Sequence, residues 1–288
     1  MKFTLINQTI IFLLFNILFT LTVQAKTSVS VVLLETEHVN WLNFKSHNTT
    51  AISQLQNLKN EKQRIIADLV ILTQAFKKAG ANYELEFVIA PNHKRAILMV
   101  NNGAAVIVGS DLFRNVLPQS INISSAIIKE GKLAKAIVGL TSNQKLKSVK
   151  TLKDLQKLSA VSLPNWKTDW FVMQSLNVKE LHSVNQFKLA LNLISRRNID
   201  FMLIEIPKGY SPEIIMNNTA MSVVQGVKIK MPGSRHFAIS KVHPLSAQVF
   251  ENLEIGLSIL RSENKLQTFM RDIGVLNAYS AHWTILNE

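Results

Sequence analysis

The feature that most constrains the fold of this sequence is the alternation of short strand-like runs with amphipathic helical stretches. Val29–Leu34 is a β-branched apolar run typical of a buried strand. Apolar residues then recur at helical spacing up to a stop at Gly80: Ile65, Leu69, Leu72 and Phe76. Tyr83–Ile89 alternates as a second strand, Lys94–Asn101 is predicted as a short helix, and Ala104–Val108 as a third strand. This order predicts a βαβαβ lobe with a parallel sheet.

A second set of elements begins at Thr151, where Thr151 and Asp154 have the spacing of a capping box. Further strands and helices follow as far as Gly274: strands Ala160–Leu163, Asp200–Ile206, Val227–Met231 and Phe237–Ser240, and helices marked by Phe187, Leu191 and Ile194, by Ser211-Pro212, by Phe250, Leu253, Leu257 and Leu260, and by Glu263–Ile273. Because the pattern starts afresh, we predict two lobes and not one long sheet.

The first 25 residues are typical of a cleavable secretory leader. Lys2 supplies the positive start, an apolar stretch runs from Ile10 to Leu21, and Val23 and Ala25 fit the small-residue cleavage rule. The apolar stretch is shorter than the roughly 20 residues that span a bilayer. We therefore predict cleavage after Ala25 and a mature, freely diffusing periplasmic protein, although an uncleaved amphipathic anchor is the alternative.

Composition excludes several classes of protein. The sequence has no cysteine, so it has no disulfide, no thiolate metal site, no cysteine nucleophile and no lipidated cysteine. The formal net charge is +13, but the basic residues are scattered along the sequence. Because we expect the protein outside the cytoplasm, we do not expect it to bind nucleic acid. No glycine-rich phosphate loop, G-x-S-x-G elbow or H-E-x-x-H motif is present. We expect a monomer with no cofactor and no metal; a hydrolase assembled only in space is the residual enzymatic alternative.

Four segments, in their order, resemble the extracellular solute-binding proteins of family 3, whose fold is the type-2 periplasmic binding protein. The segments are ADLVILTQAFKKAGANYELEFV, NNGAAVIVGSDLFR, NIDFMLIEI and SRHFAISKVHPLSAQVFENLEIGLSILRSENKLQTFM. The resemblance implies an α/β fold with two hinge crossings: lobe 1 from residues 26–131 and 235–288, and lobe 2 from residues 132–234. It also implies a small polar ligand, carboxylate-bearing or similar to an amino acid, held in the cleft for delivery to a membrane permease. A sensory module for a membrane signalling protein uses the same clamp and is the alternative.

The resemblance implies ligand-binding roles for two charged residues. Arg114, in SDLFR, stands where the family places the arginine that binds a ligand carboxylate, a role that suits a planar bidentate donor. The sequence departs from the family here because it lacks the usual threonine three residues earlier. Arg95 is the rival, or else a solvated helix residue. Glu205 stands at the end of a strand where the family usually has an aspartate for the ligand's amino group, and it could instead be an edge carboxylate paired to a lysine.

Two further groups could line the cleft. Trp166 and Asp169 lie in NWKTDW, where a helix is predicted to begin; Thr168 or Asp169 could cap this helix, and a tryptophan could stack on a ligand or serve as a core anchor. Arg235 and His236, on the returning segment, could face the cleft or brace the hinge.

The leader prediction has a direct test. The protein recovered from the periplasm should begin at Lys26, because a signal peptidase would cut after Ala25. Intact-mass measurement checks this, and a secreted chain that retains Met1 would contradict it.

Overall fold

The structure is a computed structural model that describes residues 26–47, 63–207, 213–216, 218–272 and 275–288. The predicted leader, Ser211-Pro212 and Gly274 lie outside the described residues. In the described ranges no helix is both long enough and apolar enough to cross a bilayer.

A five-stranded sheet forms the first half of the fold. Its strands are β1 (Thr27–Leu34), β2 (Tyr83–Ala90), β3 (Ile107–Val108), β5 (Asn122–Ile123) and β14 (Ala238–Ile239). Their order across the sheet is β2, β1, β3, β14, β5. Strand β1 runs parallel to β2 and β3, as the βαβαβ pattern predicts, whereas β14 is antiparallel to both of its neighbours. Beside this sheet, β4 (Leu112–Phe113) pairs antiparallel with β13 (Arg235–His236).

A second sheet is built around β6 (Ala134–Leu140). Its other strands are β9 (Met202–Glu205), β10 (Glu213–Met216), β11 (Thr219–Val223), β12 (Val227–Lys230) and β15 (Thr284–Ile285). Strand β9 lies on one side of β6, and β12 and β11 lie on the other. A parallel pair, β7 (Ser159–Ser162) and β8 (Glu180–Ser183), joins this sheet through a bridge from Ala160 to Phe201.

Nine α-helices flank the two sheets in the described ranges. They are α1 (Glu35–His47), α2 (Gln63–Lys78), α3 (His93–Asn101), α4 (Gln144–Lys147), α5 (Leu152–Leu155), α6 (Lys167–Ser175), α7 (Phe187–Ser195), α8 (Ser246–Ser262) and α9 (Lys265–Asp272). The capping box predicted at Thr151 and Asp154 is confirmed at the start of α5. The chain passes from the first sheet to the second between β5 and β6, returns between β12 and β13, and reaches the second sheet again at β15.

Side-chain alternation along the strands places the core on both faces of each sheet. Val31 and Leu33 of β1 pack in the cluster that also contains buried residues of α2 and α8, while Val32 packs on the opposite face with Ala96 of α3. In β6, Ile137 likewise packs on one face of the second sheet, and its neighbours Ala136 and Val138 pack on the other. The apolar layers therefore hold helices on both sides of each sheet, which leaves the strand ends free to carry polar groups.

Two segments differ from the sequence prediction. The helix predicted to open at Ser211-Pro212 does not follow, because Glu213–Met216 is a strand that pairs with β11. Asn218, at φ +59°, supplies the left-handed residue between these two strands. The prediction also assigned all of 235–288 to the first lobe, yet β15 pairs with β12 and Trp283 is buried against the second sheet.

Helices α2 and α8 approach so closely that only glycine fits at position 256. A Cβ built on Gly256 would lie 1.9 Å from the carbonyl oxygen of Ala75. Alanine favours a helix over glycine by about 0.5–1 kcal/mol, but the overlap should outweigh this gain. We expect Gly256→Ala to lower the free energy of unfolding by about 1–3 kcal/mol, measured by urea denaturation.

The matched control is Ser258→Ala, on the exposed side of the same helix, which should change stability by less than about 0.5 kcal/mol. A Gly256→Ala protein as stable as the wild type would show that the two helices can separate without cost.

Candidate functional site

A cluster of charged side chains lies where the two sheets meet. Arg64 and Asp68 come from the first two turns of α2, and Asp111 follows the end of β3. Arg235 belongs to β13, which is hydrogen-bonded to the strand that begins just after Asp111. Glu205 ends β9 in the second sheet. The cluster thus joins residues of both sheets at the points where the chain passes between them.

Asp111 is the centre of the cluster, and it is 0% exposed. Arg64 donates to its carboxylate from Nε at 3.0 Å and from Nη2 at 2.9 Å to Oδ1 and 3.1 Å to Oδ2. Arg235 donates from Nε to Oδ1 at 3.0 Å and from Nη2 to the backbone carbonyl of Asp111 at 2.5 Å. The Arg235 guanidinium also lies 4.3 Å from the ring centroid of Phe113. Two arginines therefore share one buried carboxylate, and Arg235 has little freedom to move.

Arg64 also reaches across to the second sheet. Its Nη1 donates to Oε1 of Glu205 at 2.6 Å, while its other nitrogens hold Asp111. The Glu205 side chain is 40% exposed, in contrast to Asp111. One guanidinium thus links a buried acid of the first half to an accessible acid of the second.

The pKa values follow from burial and from these pairs. Burial alone would raise the pKa of Asp111, but Arg235 and Arg64 outweigh it and hold this pKa below its usual range. The same balance lowers the pKa of Glu205, where Arg64 and Lys135 overcome the effect of burial. Burial lowers the pKa of Arg235, and the nearby positive charge of Arg64 acts in the same direction.

Asp68 behaves differently from the other two acids. It is fully buried and accepts the backbone N–H of Asp111 at 3.0 Å through Oδ2, while Oδ1 has no hydrogen-bond partner within the described residues. Burial raises its pKa well above the usual range, and repulsion from the ionised Asp111 adds to this effect. Asp68 is therefore the acid of the cluster whose pKa is raised, whereas the pKa values of Asp111 and Glu205 are lowered.

The second sheet contributes a second ion pair. Lys135 of β6 stands opposite Glu205 of β9 in the strand register, and its Nζ hydrogen-bonds the carboxylate of Asp169 in the first turn of α6. The same ammonium lies 5.6 Å from the ring centroid of Trp166, just before that helix, and Trp166 packs beside Phe187. Lys135 is therefore held by one acid and one aromatic face.

The start of α6 also contacts the first half of the fold. Thr168 donates its hydroxyl to Oδ1 of Asn115 at 3.2 Å. Asn115 belongs to the 3₁₀ turn Arg114–Val116 that follows β4, and the backbone N–H of Arg114 donates to Ser234 beside Arg235. Arg114 is exposed, and its guanidinium has neither an ion pair nor a hydrogen bond with any described residue. An unpaired arginine thus lies at the edge of the cluster.

The structure brings most of the sequence-predicted residues together. Glu205, Arg235, Asp169 and Trp166 belong to the cluster or contact it, and Arg114 lies at its edge. Arg95 is exposed on α3, and no described contact joins it to the others.

Two local predictions at this site are wrong. Neither Thr168 nor Asp169 caps α6, because the helix begins at Lys167 with Trp166 at the N-cap position, and both side chains turn to other partners. Glu205 does pair with a basic side chain, but this is Arg64 rather than a lysine.

Four residues of the cluster were missed from the sequence: Arg64, Asp68, Asp111 and Lys135. A signal for Asp68 was present, since it lies on the apolar stripe of α2, three residues after Ile65 and four before Leu72. An acid on a buried stripe needs a partner, and Arg64 on the same helix turn was available. Asp111 occupies the position three residues before Arg114 where the resembled family has threonine. This difference from the family was a second sequence signal for the site.

The arrangement suits recognition of charge. Arg64, Arg235 and Asp111 are held in place by several hydrogen bonds each, while Glu205 and Arg114 keep exposed surface. The described residues contain no group of three or more His, Asp or Glu side chains that could hold a metal ion.

Comparisons with known proteins identify the fold. No protein-family model and no curated protein matches the sequence. Among solved structures, an ancestral arginine-binding protein bound to arginine has a TM-score of 0.51 at 12% identity, covering 85% of this chain and 97% of that chain. Substrate-binding domain 2 of GlnP from Lactococcus lactis, in its open conformation, has a TM-score of 0.52 at 13% identity, covering 86% and 96%. The ancestral amino-acid-binding protein AncCDT-1, a precursor of cyclohexadienyl dehydratase, has a TM-score of 0.50 at 14% identity, covering 85% and 93%.

This likeness confirms the fold class predicted from the sequence, an α/β fold of the type-2 periplasmic binding proteins. At 12–14% sequence identity, the comparison establishes a shared fold only.

The raised pKa of Asp68 should make the protein's stability depend on pH. A carboxyl whose pKa is raised by folding contributes fully below its unfolded pKa, near 4, and the contribution is lost as pH rises toward its folded pKa. Asp68→Asn keeps an acceptor for the Asp111 N–H and cannot ionise. We therefore expect the variant to gain stability relative to the wild type as pH increases from 4 to 7, by at most about 1.4 kcal/mol per pH unit.

Denaturant unfolding at several pH values measures this difference. The exposed Glu84→Gln is the control and should show no such trend. A stability difference between Asp68→Asn and the wild type that stays constant with pH would show that Asp68 is ionised in the folded protein.

Proposed function

We propose that this protein is a solute-binding protein that holds a small carboxylate-bearing molecule, an amino acid or a simpler acid, between its two lobes. The observation that carries the proposal is the charge cluster at the junction of the two sheets. Its ion pairs come from both halves of the fold, and the unpaired cation of Arg114 lies at its edge. Charged groups that are already positioned by neighbours can bind an ionic ligand with little ordering cost.

The lobes of this proposal are residues 26–131 with the returning segment from 235 to α9, and residues 132–234 with β15. Motion about the two connections would open and close the cleft, and a ligand that contacts both lobes would favour the closed form. A membrane permease would recognise that closed form; a membrane signalling partner could read it in the same way. We place the mature protein in the periplasm after cleavage at Ala25.

A thermal-shift screen of small metabolites tests the binding role. A ligand that binds only the folded protein raises its stability by about 2.7 kcal/mol at a hundred times its dissociation constant, which is a measurable increase in melting temperature. We expect carboxylic acids or amino acids among the stabilising compounds. A broad screen in which no small molecule raises the melting temperature would contradict the proposal.

Arg114 is the residue proposed to bind the ligand carboxylate. Loss of a charge-assisted hydrogen bond costs about 1.5–3 kcal/mol, so Arg114→Ala should weaken binding of a ligand found in the screen by roughly ten- to a hundred-fold. Folding should be unaffected because the side chain is exposed. Calorimetry measures the change.

The matched control is Arg196→Ala, an exposed arginine at the end of α7, which should bind as the wild type does. Unchanged affinity in Arg114→Ala would remove Arg114 from the site and transfer its proposed role to Arg235 or Arg95.

A further inference from the structure

Glu205 is the accessible acid of the cluster, and it is already paired with the guanidinium of Arg64. Arg64 Nη1 lies 2.6 Å from Oε1 of Glu205, which is a short charge-assisted bond. Arg64 is anchored from behind, because its remaining donors hold the fully buried Asp111. Moving Arg64 away from Glu205 would therefore also disturb the bonds of a buried carboxylate.

The other charges of the cluster leave a positive excess. Asp111 is shared by Arg64 and Arg235, and Asp169 is paired with Lys135. The ion pairs thus join three basic side chains, Arg64, Arg235 and Lys135, to three carboxylates, Asp111, Glu205 and Asp169. The exposed Arg114 at the edge of the cluster adds one unpaired positive charge. A ligand of one negative charge would balance the site, whereas a ligand ammonium would add to the excess.

A ligand amino group at Glu205 would also meet Arg64 directly. To bond the carboxylate it would come within a few ångströms of the guanidinium, and two positive charges so close repel each other, more strongly in a partly buried site than in water. An acid without an amine avoids this repulsion.

From this geometry we infer that Arg64 acts as a built-in counter-ion for Glu205 and makes the cleft selective for carboxylic acids that lack an α-amino group. The inference rests on the proposed binding function and narrows its ligand class. Arg64 is thus a specificity-determining residue: its role is to exclude a ligand amine as well as to hold Asp111 and Glu205 together.

Matched pairs of acids that differ only in the α-amino group test this selectivity. Suitable pairs are 3-phenylpropionate with L-phenylalanine, 4-methylvalerate with L-leucine, and glutarate with L-glutamate. With the wild-type protein, we expect the amine-free member of at least one pair to bind tenfold or more tightly than its amino acid, measured by calorimetry.

Arg64→Met should reverse the preference. This variant removes the counter-ion and frees Glu205 for a ligand ammonium. The affinity for the amino acid should therefore increase at least tenfold relative to the affinity for the matched acid. Arg64→Lys keeps a positive charge and should retain the wild-type preference. Arg196→Met, at the exposed control position, should leave every affinity unchanged.

A second variant keeps the test valid if Arg64→Met does not fold. Glu205→Gln retains Arg64 but removes the carboxylate that neutralises it. The Arg64 guanidinium is then free to attract a ligand carboxylate, and the amine-free acids should bind several-fold more tightly. If Glu205 instead served a ligand amine, Glu205→Gln would weaken the amino acids and leave the acids unchanged.

Three results would overturn the inference: tighter binding of the amino acids by the wild type, no reversal in a folded Arg64→Met protein, or no binding of any of the six compounds to either protein. The metabolite screen decides the binding function separately. A screened ligand that carries an amine would leave that function standing and reject the role of Arg64.

Discussion

The buried carboxylate of Asp111 stays ionised because Arg64 and Arg235 both donate to it, and the rest of the cluster depends on this arrangement. Removing one partner of a buried ion pair typically costs 3–5 kcal/mol, so neither arginine is free to leave. Burial and the nearby charge of Asp111 raise the pKa of Asp68 well above its usual range. One buried charge therefore fixes the position of two arginines and, together with burial, raises the pKa of a second acid.

The cluster also ties the chemistry of the site to the topology of the fold. Arg235 lies on the strand that follows the return to the first sheet, and Lys135 lies near the start of the strand that follows the first crossing. The β6–β9 register then sets Lys135 opposite Glu205. Charged residues thus gather at the crossings because the strand ends meet there, while the strand interiors remain apolar.

Much of the fold was predictable because it follows from local periodicity. The stripe on α2 and the capping box at Thr151 are local signals, and the structure confirms both. The strand at Glu213–Met216 was missed because its pairing with β11 prevailed over the helix-start signal of Ser211-Pro212. Tertiary pairing often overrides such local preferences.

The site was predictable only in part. Glu205 and Arg235 were identified through the family resemblance, whereas the partnership of Arg64 with Asp111 joins residues 47 positions apart and leaves no local pattern. Asp111 itself stood in the segment that was used to select Arg114. Long-range charge pairing of this kind depends on the fold, and it emerges only when the two sheets are in place.

The most direct test of the central claim is a crystal structure of the protein with a ligand from the metabolite screen. The account predicts that the ligand lies between the two sheets, with its carboxylate at Arg114 and the Arg64–Glu205 pair intact beside it. A ligand bound away from this junction, or one whose ammonium has displaced Arg64 from Glu205, would contradict the account.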